Sequence, residues 1–503
     1  MAVPTAHGQS VADVLRYSTP LPATGAQLTG MAGAGGLAGR ASYTALHENP
    51  AGLGWLPQSV LGGSFTGQFL SDDLRYTSPT HTTSASLSRS SYRLGDVGGA
   101  YVFPTSRGAL TIGAAFSQTY SFQGGVSYSG RNGANSITDT FLPARGDFTV
   151  DSGDLVFFDT GLPLTAFDAG AIEFFSGDYQ AGRYPFDQAV APGRSFGTTI
   201  RQAEDLDKTG GLTEGSLGGA WAVAPRVMVG LSLNVTFGSY TFDRFYQEFD
   251  VNNSNDASLY NVIRNGRQFF GFDQLNVLER IEANITGFNA RAGLSAEVVK
   301  GLRAGFTIET PTYQSIEETF GRRIETFFDD GGSLAAGNVA ANVFSYRVQT
   351  PWRFGAGFTV ERGRYLLAAD AELVDWSQAR LESDDVSFAD DNRVLEDLGT
   401  TLDVRVGGAV ELAPVTLRAG FALQPDPVET GVDRTRRFYS AGVSYALEPN
   451  TMLDIGYMRL SSANAYAPYG NAFVPGEDIT IDAPEVSQDI RHNRVLVGLR
   501  VAF

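Results

Sequence analysis

The sequence predicts an all-β fold: a transmembrane antiparallel β-barrel of about 14 strands with an N-terminal hatch, or plug, inside its lumen. Three observations lead to this prediction. Glycine is abundant, apolar residues alternate with small or polar ones over long runs, and short turns alternate with long loops along the chain. A period of two is the signature of a β-strand with two different faces. Together these features favour strands over helices.

The composition excludes several classes of protein. Of 503 residues, 59 are glycine, and glycine costs about 1 kcal/mol relative to alanine in a helix, so a mostly helical fold is not expected. The hydrophobic share of 43% is too high for a disordered chain, and no apolar run is long enough for a transmembrane helix. The net charge of −18 argues against nucleic-acid binding. Cysteine is absent and the four histidines are scattered, so we expect no metal site and no cofactor.

The alternation indicates a membrane barrel rather than a soluble one. From Val227 to Phe237 every second residue is apolar. The pattern recurs in 302–309, 352–360, 415–423 and 495–503. A large soluble β protein would show the same period with its apolar face inside. Here the second face is rich in glycine and alanine with isolated charges, which is typical of a barrel lumen, and the longest runs reach the length of a tilted membrane crossing.

Turns and loops set the strand number. Short turns rich in proline or glycine are predicted at 103–107, 224–226, 300–301, 361–364, 413–414 and 448–450. Longer loops are predicted at 71–79, 126–210, 246–280, 323–337, 383–398, 425–434 and 462–485. Six turns and seven loops separate about 14 strands, an even number as in bacterial outer-membrane barrels. We therefore divide the chain into a hatch, residues 1–57, and a barrel, residues 58–503, with 126–210 and 246–280 as its largest loops.

Several motifs resemble one known family. A glycine- and alanine-rich stretch, 30–39, precedes Asn49-Pro50-Ala51-Gly52, and the segment Asp370 to Ser377 contains an Asp-x5-Trp-Ser pattern. In this combination the chain resembles the FadL/TodX family of outer-membrane transporters for hydrophobic compounds. The resemblance implies a 14-stranded barrel, a hatch that includes Asn49, Pro50, Ala51 and Gly52, and a kinked strand that opens the wall sideways. Leu94-Gly95-Asp96 is one candidate for that kink, although an ordinary bulge is the favoured interpretation.

The resemblance also implies a function. We expect passive uptake of hydrophobic small molecules, such as long-chain fatty acids or hydrocarbons, across the bacterial outer membrane. The expected partners are that ligand and outer-membrane lipid, and a monomer is expected. An alternative is a barrel that binds or hands on secreted proteins at the cell surface. Paired carboxylates such as Asp72-Asp73, Asp384-Asp385 and Asp390-Asp391 lie in predicted loops without a partner nucleophile, so no enzyme is expected.

The long loops are unusually aromatic, which provides candidate ligand-binding residues. These are Phe157, Phe158, Leu164, Phe167, Phe174, Phe175, Phe269, Phe270 and Phe272. Apolar side chains in outward loops must either pack on each other or bind something. Two interpretations therefore stay open: a groove that captures an apolar ligand, and loops that pack together to cap the barrel.

Charges on the small-residue face of the strands are predicted to point into the lumen. They include Arg303, Arg353, Asp370, Glu372, Arg405 and Arg418. Because both signs occur, paired networks that brace the hatch are the favoured interpretation. The alternative is that one or two arginines bind a ligand carboxylate, which suits the planar guanidinium group.

Overall fold

The computed structural model describes most of the chain. The described residues are 11–105, 108–143, 148–151, 154–157, 161–173, 200–255, 260–428, 431–474 and 479–503. The helices are short: α1 (Val11–Ser18), α2 (Gly25–Thr29), α3 (Leu162–Asp168), α4 (Ala389–Glu396), and 3-10 helices Tyr43–His47, Pro50–Trp55, Ile137–Thr140 and Trp376–Gln378. Among these elements there is no helix of sufficient length and apolar character to cross a bilayer.

Strands make up most of the described chain. In order they are β1 (Val60–Thr77), β2 (Thr82–Phe103), β3 (Leu110–Gln118), β4 (Gly124–Asn132), β5 (Phe148–Asp151), β6 (Asp154–Phe157), β7 (Ile200–Ala224), β8 (Val227–Phe249), β9 (Asn261–Arg264), β10 (Arg267–Phe270), β11 (Gln274–Val299), β12 (Leu302–Glu309), β13 (Tyr313–Phe327), β14 (Ser333–Gln349), β15 (Arg353–Arg362), β16 (Tyr365–Asp375), β17 (Arg380–Glu382), β18 (Thr400–Leu412), β19 (Val415–Gln424), β20 (Arg436–Glu448), β21 (Thr451–Tyr466), β22 (Ala472–Val474), β23 (Ile479–Ile481) and β24 (Glu485–Ala502).

The strands form one closed antiparallel barrel. Within the described residues, eighteen of them pair into a single sheet, and β1 pairs with β24 to close it. Four barrel strands are each built from two segments, namely β3–β4, β12–β13, β14–β15 and β16–β17, so the barrel has 14 strands, as the sequence predicts. The remaining strands form three small hairpins, β5–β6, β9–β10 and β22–β23, in the loops.

The predicted short turns at 224–226, 300–301, 361–364, 413–414 and 448–450 are confirmed, and they lie at one end of the barrel, which we call the turn end. Phe103 pairs with Leu110 at the same end, and residues 106–107 of the sixth predicted turn lie outside the described residues. The opposite end, the loop end, differs from expectation at five of the seven predicted loops. The predicted loop 126–210 starts inside β4 and finishes inside β7, and the predicted loop 246–280 overlaps β8 and β11. The predicted loops 71–79, 323–337 and 462–485 likewise overlap the ends of β1, of β13 and β14, and of β21 and β24. These strands continue beyond the apolar band with polar outward residues, so the alternation of apolar residues no longer marks them.

The apolar face of the strands points outward. Leu233 is 62% exposed and its neighbours of the same parity, Leu231 and Val235, are also exposed, whereas Ser232 and Asn234 between them are buried. Exposed aromatic residues near the turn end are Tyr101, Phe103, Trp221, Tyr365, Tyr445 and Phe503. An apolar outer band edged by aromatic residues is the surface that a barrel presents to lipid.

The N-terminal segment fills the lumen at the turn end. From α2 to the 3-10 helix Pro50–Trp55 almost every residue is buried. The wall makes room for this segment by placing glycine on the lumen face of successive strands. A Cβ at Gly230, Gly305 or Gly456 would lie 2.2–2.4 Å from backbone atoms of the hatch. Such distances are below van der Waals contact, so the hatch backbone rests directly on the strand backbone.

The wall is interrupted in its third strand. Residues 119–123 separate β3 from β4, and both segments pair with β7. The candidate Leu94-Gly95-Asp96 is an ordinary bulge, as favoured: Ser64 pairs with Asp96 and Phe65 with Leu94, so Gly95 is left over. The bulge adjoins the interruption, because Asp96 pairs with Ser117 of β3.

Candidate functional site

Asn49 joins the hatch to the wall. Its side-chain Nδ2 donates to the carbonyl of Leu37 (2.7 Å) within the hatch and to that of Leu294 on β11 (3.0 Å). Its Oδ1 accepts from the backbone N–H of Ala51 (3.0 Å) and so caps the 3-10 helix that Pro50 begins. The residue is fully buried, and Gly293 opposite it leaves the space for its side chain.

Pro50, Ala51 and Gly52 continue this contact. Pro50 and Ala51 lie against Gly230 on β8, and Gly52 lies against the carbonyl of Arg40 within the hatch. The structure thus brings the four predicted hatch residues together at one point of the wall.

Ion pairs connect the hatch to the opposite wall. Arg405 on β18 donates to Glu48 of the hatch (3.2 Å) and to Glu372 on β16 (3.5 Å). Arg353 on β15 donates to the other oxygen of Glu372 (2.7 Å) and to the carbonyl of Ser18 at the end of α1. All four side chains are buried, so this network couples two segments of the hatch to three strands.

The other predicted lumen charges also contact the hatch or its surroundings. Asp370 accepts from the backbone N–H of Leu37 (3.1 Å), and Arg303 donates to the carbonyl of Gly39 (3.2 Å). Arg418 donates to Ser444, which lies near the end of β20 at the turn end. Within the described lumen, these side chains therefore hold the hatch and the wall residues around it.

Sequence reasoning missed a second network on the far side of the hatch. Nδ1 of His47 lies 2.9 Å from Glu214 on β7, and Arg291 on β11 donates to Glu214 (3.3 Å) and forms an ion pair with Glu309 (2.8 Å). Arg291 also donates to the carbonyl of Leu46 (2.9 Å). The parity of Glu214 and Arg291 on their strands would have placed both in the lumen.

The loop aromatics that the structure describes gather in a cap over the loop end. One buried cluster contains Tyr260, Phe269, Phe272 and Phe328, with Phe167 of α3 packed against it. Leu164 of the same helix is half-buried. Phe270 points the other way and is exposed. The side chain of Phe157, and residues Phe158, Phe174 and Phe175, lie outside the described part of the chain.

Arg264 fastens the β9–β10 hairpin to α3. Its guanidinium lies 3.7 Å from the ring centroid of Phe167, donates to the Phe167 carbonyl (3.0 Å) and pairs with Glu173 (2.8 Å). In the same cap, the hydroxyl of Tyr260 donates to the carbonyl of Gly170. Burial raises the pKa of Tyr260 well above its usual range, so this hydroxyl keeps its proton at all physiological pH values.

A polar layer lies under the cap. Gln202 on β7 donates to Glu248 on β8 (2.7 Å) and to the hydroxyl of Tyr469 (2.7 Å). Arg244 bridges Glu204 (2.7 Å) and Glu279 (2.9 Å). These contacts cross-link the strand ends to each other and to the loop that carries Tyr469.

Between this layer and the hatch, aromatic rings surround α1. Tyr17 of α1, Phe122 of the interruption and Tyr240 of β8 meet edge to face, with ring centroids 5.6–6.3 Å apart. Arg16 lies 4.2 Å from the Tyr240 ring centroid. We call this group the lumen aromatic cluster. It joins the N-terminal segment directly to the interrupted strand.

No cluster of metal-ligating side chains occurs in the described ranges. The site therefore has three parts: a cap of packed loops, an aromatic cluster in the lumen and a hatch held by ion pairs and backbone contact. Their arrangement suits passage of an apolar molecule along the inside of a barrel wall.

Comparisons with known proteins agree with this arrangement. A family model described as outer membrane protein transport protein (OMPP1/FadL/TodX) matches residues 211–479. No curated protein matches the sequence. A FadL homologue of Pseudomonas aeruginosa is similar in structure, with a TM-score of 0.52, 13% identity, and coverage of 97% of this chain and 100% of that chain. The P. putida toluene transporter TodX gives a TM-score of 0.51, 13% identity, and coverage of 96% and 99% respectively. At such identity these two structures bear on the fold alone.

Proposed function

We propose a route by which this chain carries its substrate. The premise is that the chain belongs to the outer membrane protein transport protein family (OMPP1/FadL/TodX). As a member of that family it is a bacterial outer-membrane channel for hydrophobic compounds, not an enzyme. The substrate enters through the cap, passes the lumen aromatic cluster and leaves sideways at the interruption of the third strand. The observation that carries this route is Phe122, which belongs to the interruption and packs on α1 in the lumen.

Entry begins at the β9–β10 hairpin. Its residues alternate, with Val262 and Phe269 buried in the cap and Ile263 and Phe270 exposed. Exposed apolar side chains on an extracellular tip are costly unless they bind something. We propose that this pair makes the first contact with an apolar substrate, and that opening of the cap then exposes Phe167, Phe269 and Phe272 to it.

Sideways exit explains why the hatch is so firmly held. Passage straight to the turn end would break the ion pair of Arg405 with Glu48 and the hydrogen bond of Arg291 to the carbonyl of Leu46, and it would displace backbone that rests on glycine. Sideways exit needs only the upper part of the segment 1–57, including α1, to move. We propose that the rest of this hatch stays seated while an apolar substrate is delivered into the membrane.

A reversible cross-link tests the exit. Ser121 of the interruption donates to Gln68 on β1 (2.8 Å). Because the chain has no cysteine, Ser121→Cys with Gln68→Cys can be bridged by a reversible methanethiosulfonate cross-linker without background labelling. We expect the bridged protein to bind tritiated toluene or oleate but to lose uptake into cells, and reductant to restore it.

The control places the same bridge on the lipid face. Tyr457 on β21 donates to Asn493 on β24 (2.7 Å); Tyr457 is exposed and Asn493 is half-buried. Tyr457→Cys with Asn493→Cys should transport normally when bridged. Normal uptake by the bridged Ser121–Gln68 pair would rule out exit at the interruption.

The substrate class and the oligomeric state are also proposals. Aromatic rings line the route, which suits long-chain fatty acids and monoaromatic hydrocarbons. A closed barrel has no free edge strand to pair with a second copy, which favours a monomer. Sedimentation in detergent should give one barrel per particle, and a stable dimer would contradict this proposal.

A further inference from the structure

Four arginine side chains meet under the hatch at the turn end of the lumen. Arg40 belongs to the hatch, whereas Arg303 on β12, Arg418 on β19 and Arg500 on β24 come from separate parts of the wall. We call these four residues the turn-end arginine cluster. The short turns of outer-membrane barrels face the periplasm, so the cluster lies at the periplasmic end of the lumen.

Arg303 and Arg40 adjoin through the hatch backbone. Nη1 of Arg303 donates to the carbonyl of Gly39 (3.2 Å), the residue before Arg40. The guanidinium of Arg303 also lies 4.5 Å from the ring centroid of Trp55, at the end of the hatch. Arg40, Arg303 and Trp55 are half-buried, so solvent reaches this part of the cluster.

Arg418 adjoins Arg40 on its other side. Nη1 of Arg40 lies 3.7 Å from Sδ of Met31. The backbone of Met31 rests on Gly420 of β19, where a Cβ would lie 2.3 Å from it. Arg418 precedes Gly420 by two residues and therefore shares its lumen face. Arg40 thus lies between the strands that carry Arg303 and Arg418.

Within the described lumen, the cluster has one carboxylate partner. Asp454 on β21 pairs with Arg500 (3.5 Å) and accepts from the hydroxyl of Ser444, which itself accepts from Arg418. The other three arginines of the cluster form no ion pair with any described residue. The Nε of Arg418, a residue only 8% exposed, has no hydrogen-bond partner among them, and neither has the buried Nε of Arg303.

The charges of the cluster repel one another. Arg40 is repelled by Arg303 and Arg500, and Arg418 is repelled by Arg40 and Arg500. Besides Asp454, the carboxylates that attract them lie in or beside the turns, namely Glu297, Glu361 and Glu411. Water screens charges at such positions, so these carboxylates compensate little for the cations inside the lumen. Buried cations without an anion are costly, and this arrangement suits an anion supplied from outside the chain.

We propose that the turn-end arginine cluster binds a phosphate group from the periplasmic side. Guanidinium groups bind phosphate through paired, charge-assisted hydrogen bonds, and the oxygens of one phosphate group accept from several donors at once. Because Arg40 belongs to the hatch and the other three arginines to the wall, the bound group joins hatch and wall. Inorganic phosphate and the head group of phosphatidylglycerol in the inner leaflet both offer this chemistry.

Equilibrium dialysis of the purified full-length chain in a neutral detergent tests the proposal, with radioactive inorganic phosphate as the probe. We expect saturable binding in a chloride buffer of constant ionic strength. Arg40→Gln, Arg303→Gln and Arg418→Gln should each raise the Kd for phosphate at least about tenfold, which corresponds to about 1.4 kcal/mol. If Arg418→Gln does not fold, the half-buried Arg40 and Arg303 still decide the question.

Arg362→Gln is the matched control. Arg362 is exposed in the β15–β16 turn, so its loss changes the charge of the same end of the barrel without touching the cluster. The Kd of this variant for phosphate should stay within about twofold of the original, because water screens an exposed charge. An equal loss of affinity in Arg362→Gln, or no saturable binding of phosphate by the original chain, would overturn the proposal.

Nanodiscs separate the two sources of the phosphate group. If adding phosphatidylglycerol to phosphatidylcholine nanodiscs raises the apparent Kd for phosphate in the original chain, the lipid head group occupies the cluster. An unchanged Kd identifies free phosphate as the ligand.

Hydrogen exchange tests whether the bound group joins hatch and wall. With phosphate at about ten times its Kd, amides of hatch residues 36–42 should exchange about tenfold more slowly, because the anion binds only the docked hatch. Binding of phosphate without this protection would overturn the proposed link.

Discussion

Removing the side chain of Asn49 should loosen the hatch without unfolding the barrel. The Asn49→Ala variant loses three hydrogen bonds, to Leu37, Leu294 and Ala51, in a fully buried position. At about 0.5–1.5 kcal/mol net for each bond, the hatch should lose about 2–4 kcal/mol of docking free energy. Since about 1.4 kcal/mol is a factor of ten, the undocked population should rise about 30- to 700-fold.

Hydrogen exchange of the purified protein measures this change directly. Backbone amides of the hatch, residues 28–39 and 49–55, should lose protection by that factor, because exchange there follows local opening. Amides of β15, which does not contact Asn49, should exchange as in the original chain. Asn49→Asp keeps the acceptor for Ala51 but turns a buried carboxylate toward the carbonyls of Leu37 and Leu294, so its effect should be at least as large as that of Asn49→Ala. Unchanged hatch protection in Asn49→Ala, or equal acceleration in β15, would refute this account of the anchor.

Three further predictions concern the wall, the ion pairs and the cap. Gly293→Ala should speed hydrogen exchange of the hatch as strongly as Asn49→Ala, because the added Cβ would lie 2.0 Å from Oδ1 of Asn49. Gly124→Ala, with open space around it, should leave hatch exchange unchanged. Equal behaviour of the two variants would count against the close fit. Arg405→Met should lower the free energy of unfolding by about 3–5 kcal/mol, measured by thermal unfolding in detergent, because Glu372 loses one of its two buried partners. Arg264→Ala should expose the β9–β10 hairpin to protease about tenfold faster, as a cation–π contact with an ion pair is worth about 1–2 kcal/mol; an unchanged cleavage rate would mean that Arg264 does not fasten the cap.

The architecture was predictable because lipid and lumen impose opposite demands on successive residues. Parity alone placed Arg353 and Arg405 in the lumen, and proline or glycine marked every short turn. Parity cannot name partners: Glu214 and Arg291 meet because β7, β8 and β11 are adjacent in a specific register, which depends on the whole barrel.

The residues of the interruption in the third strand do not by themselves predict a break. The segment 119–123, Thr-Tyr-Ser-Phe-Gln, contains neither proline nor glycine and would suit a continuous strand. We attribute its irregularity to the facing strand, where Gly210 on β7 has a φ of +108° and the pairing register shifts by one residue between β3 and β4. By contrast, the gaps at 310–312 and 350–352 contain Pro311 and Pro351, which cannot donate to a ladder. A break caused by a neighbouring strand is invisible to reasoning on local sequence.

The glycines on the lumen face have a consequence for how such channels diverge. Because each of these glycines marks a point where the backbones of hatch and wall touch, the inner surface of the barrel is complementary in shape to one particular hatch. A substitution in the hatch or in the wall must be compensated by a substitution in the other, so the sequences of hatch and barrel are expected to co-vary. A chimera that carries the hatch of a distant family member should therefore fold its barrel yet leak, until the glycine positions are transferred with the plug.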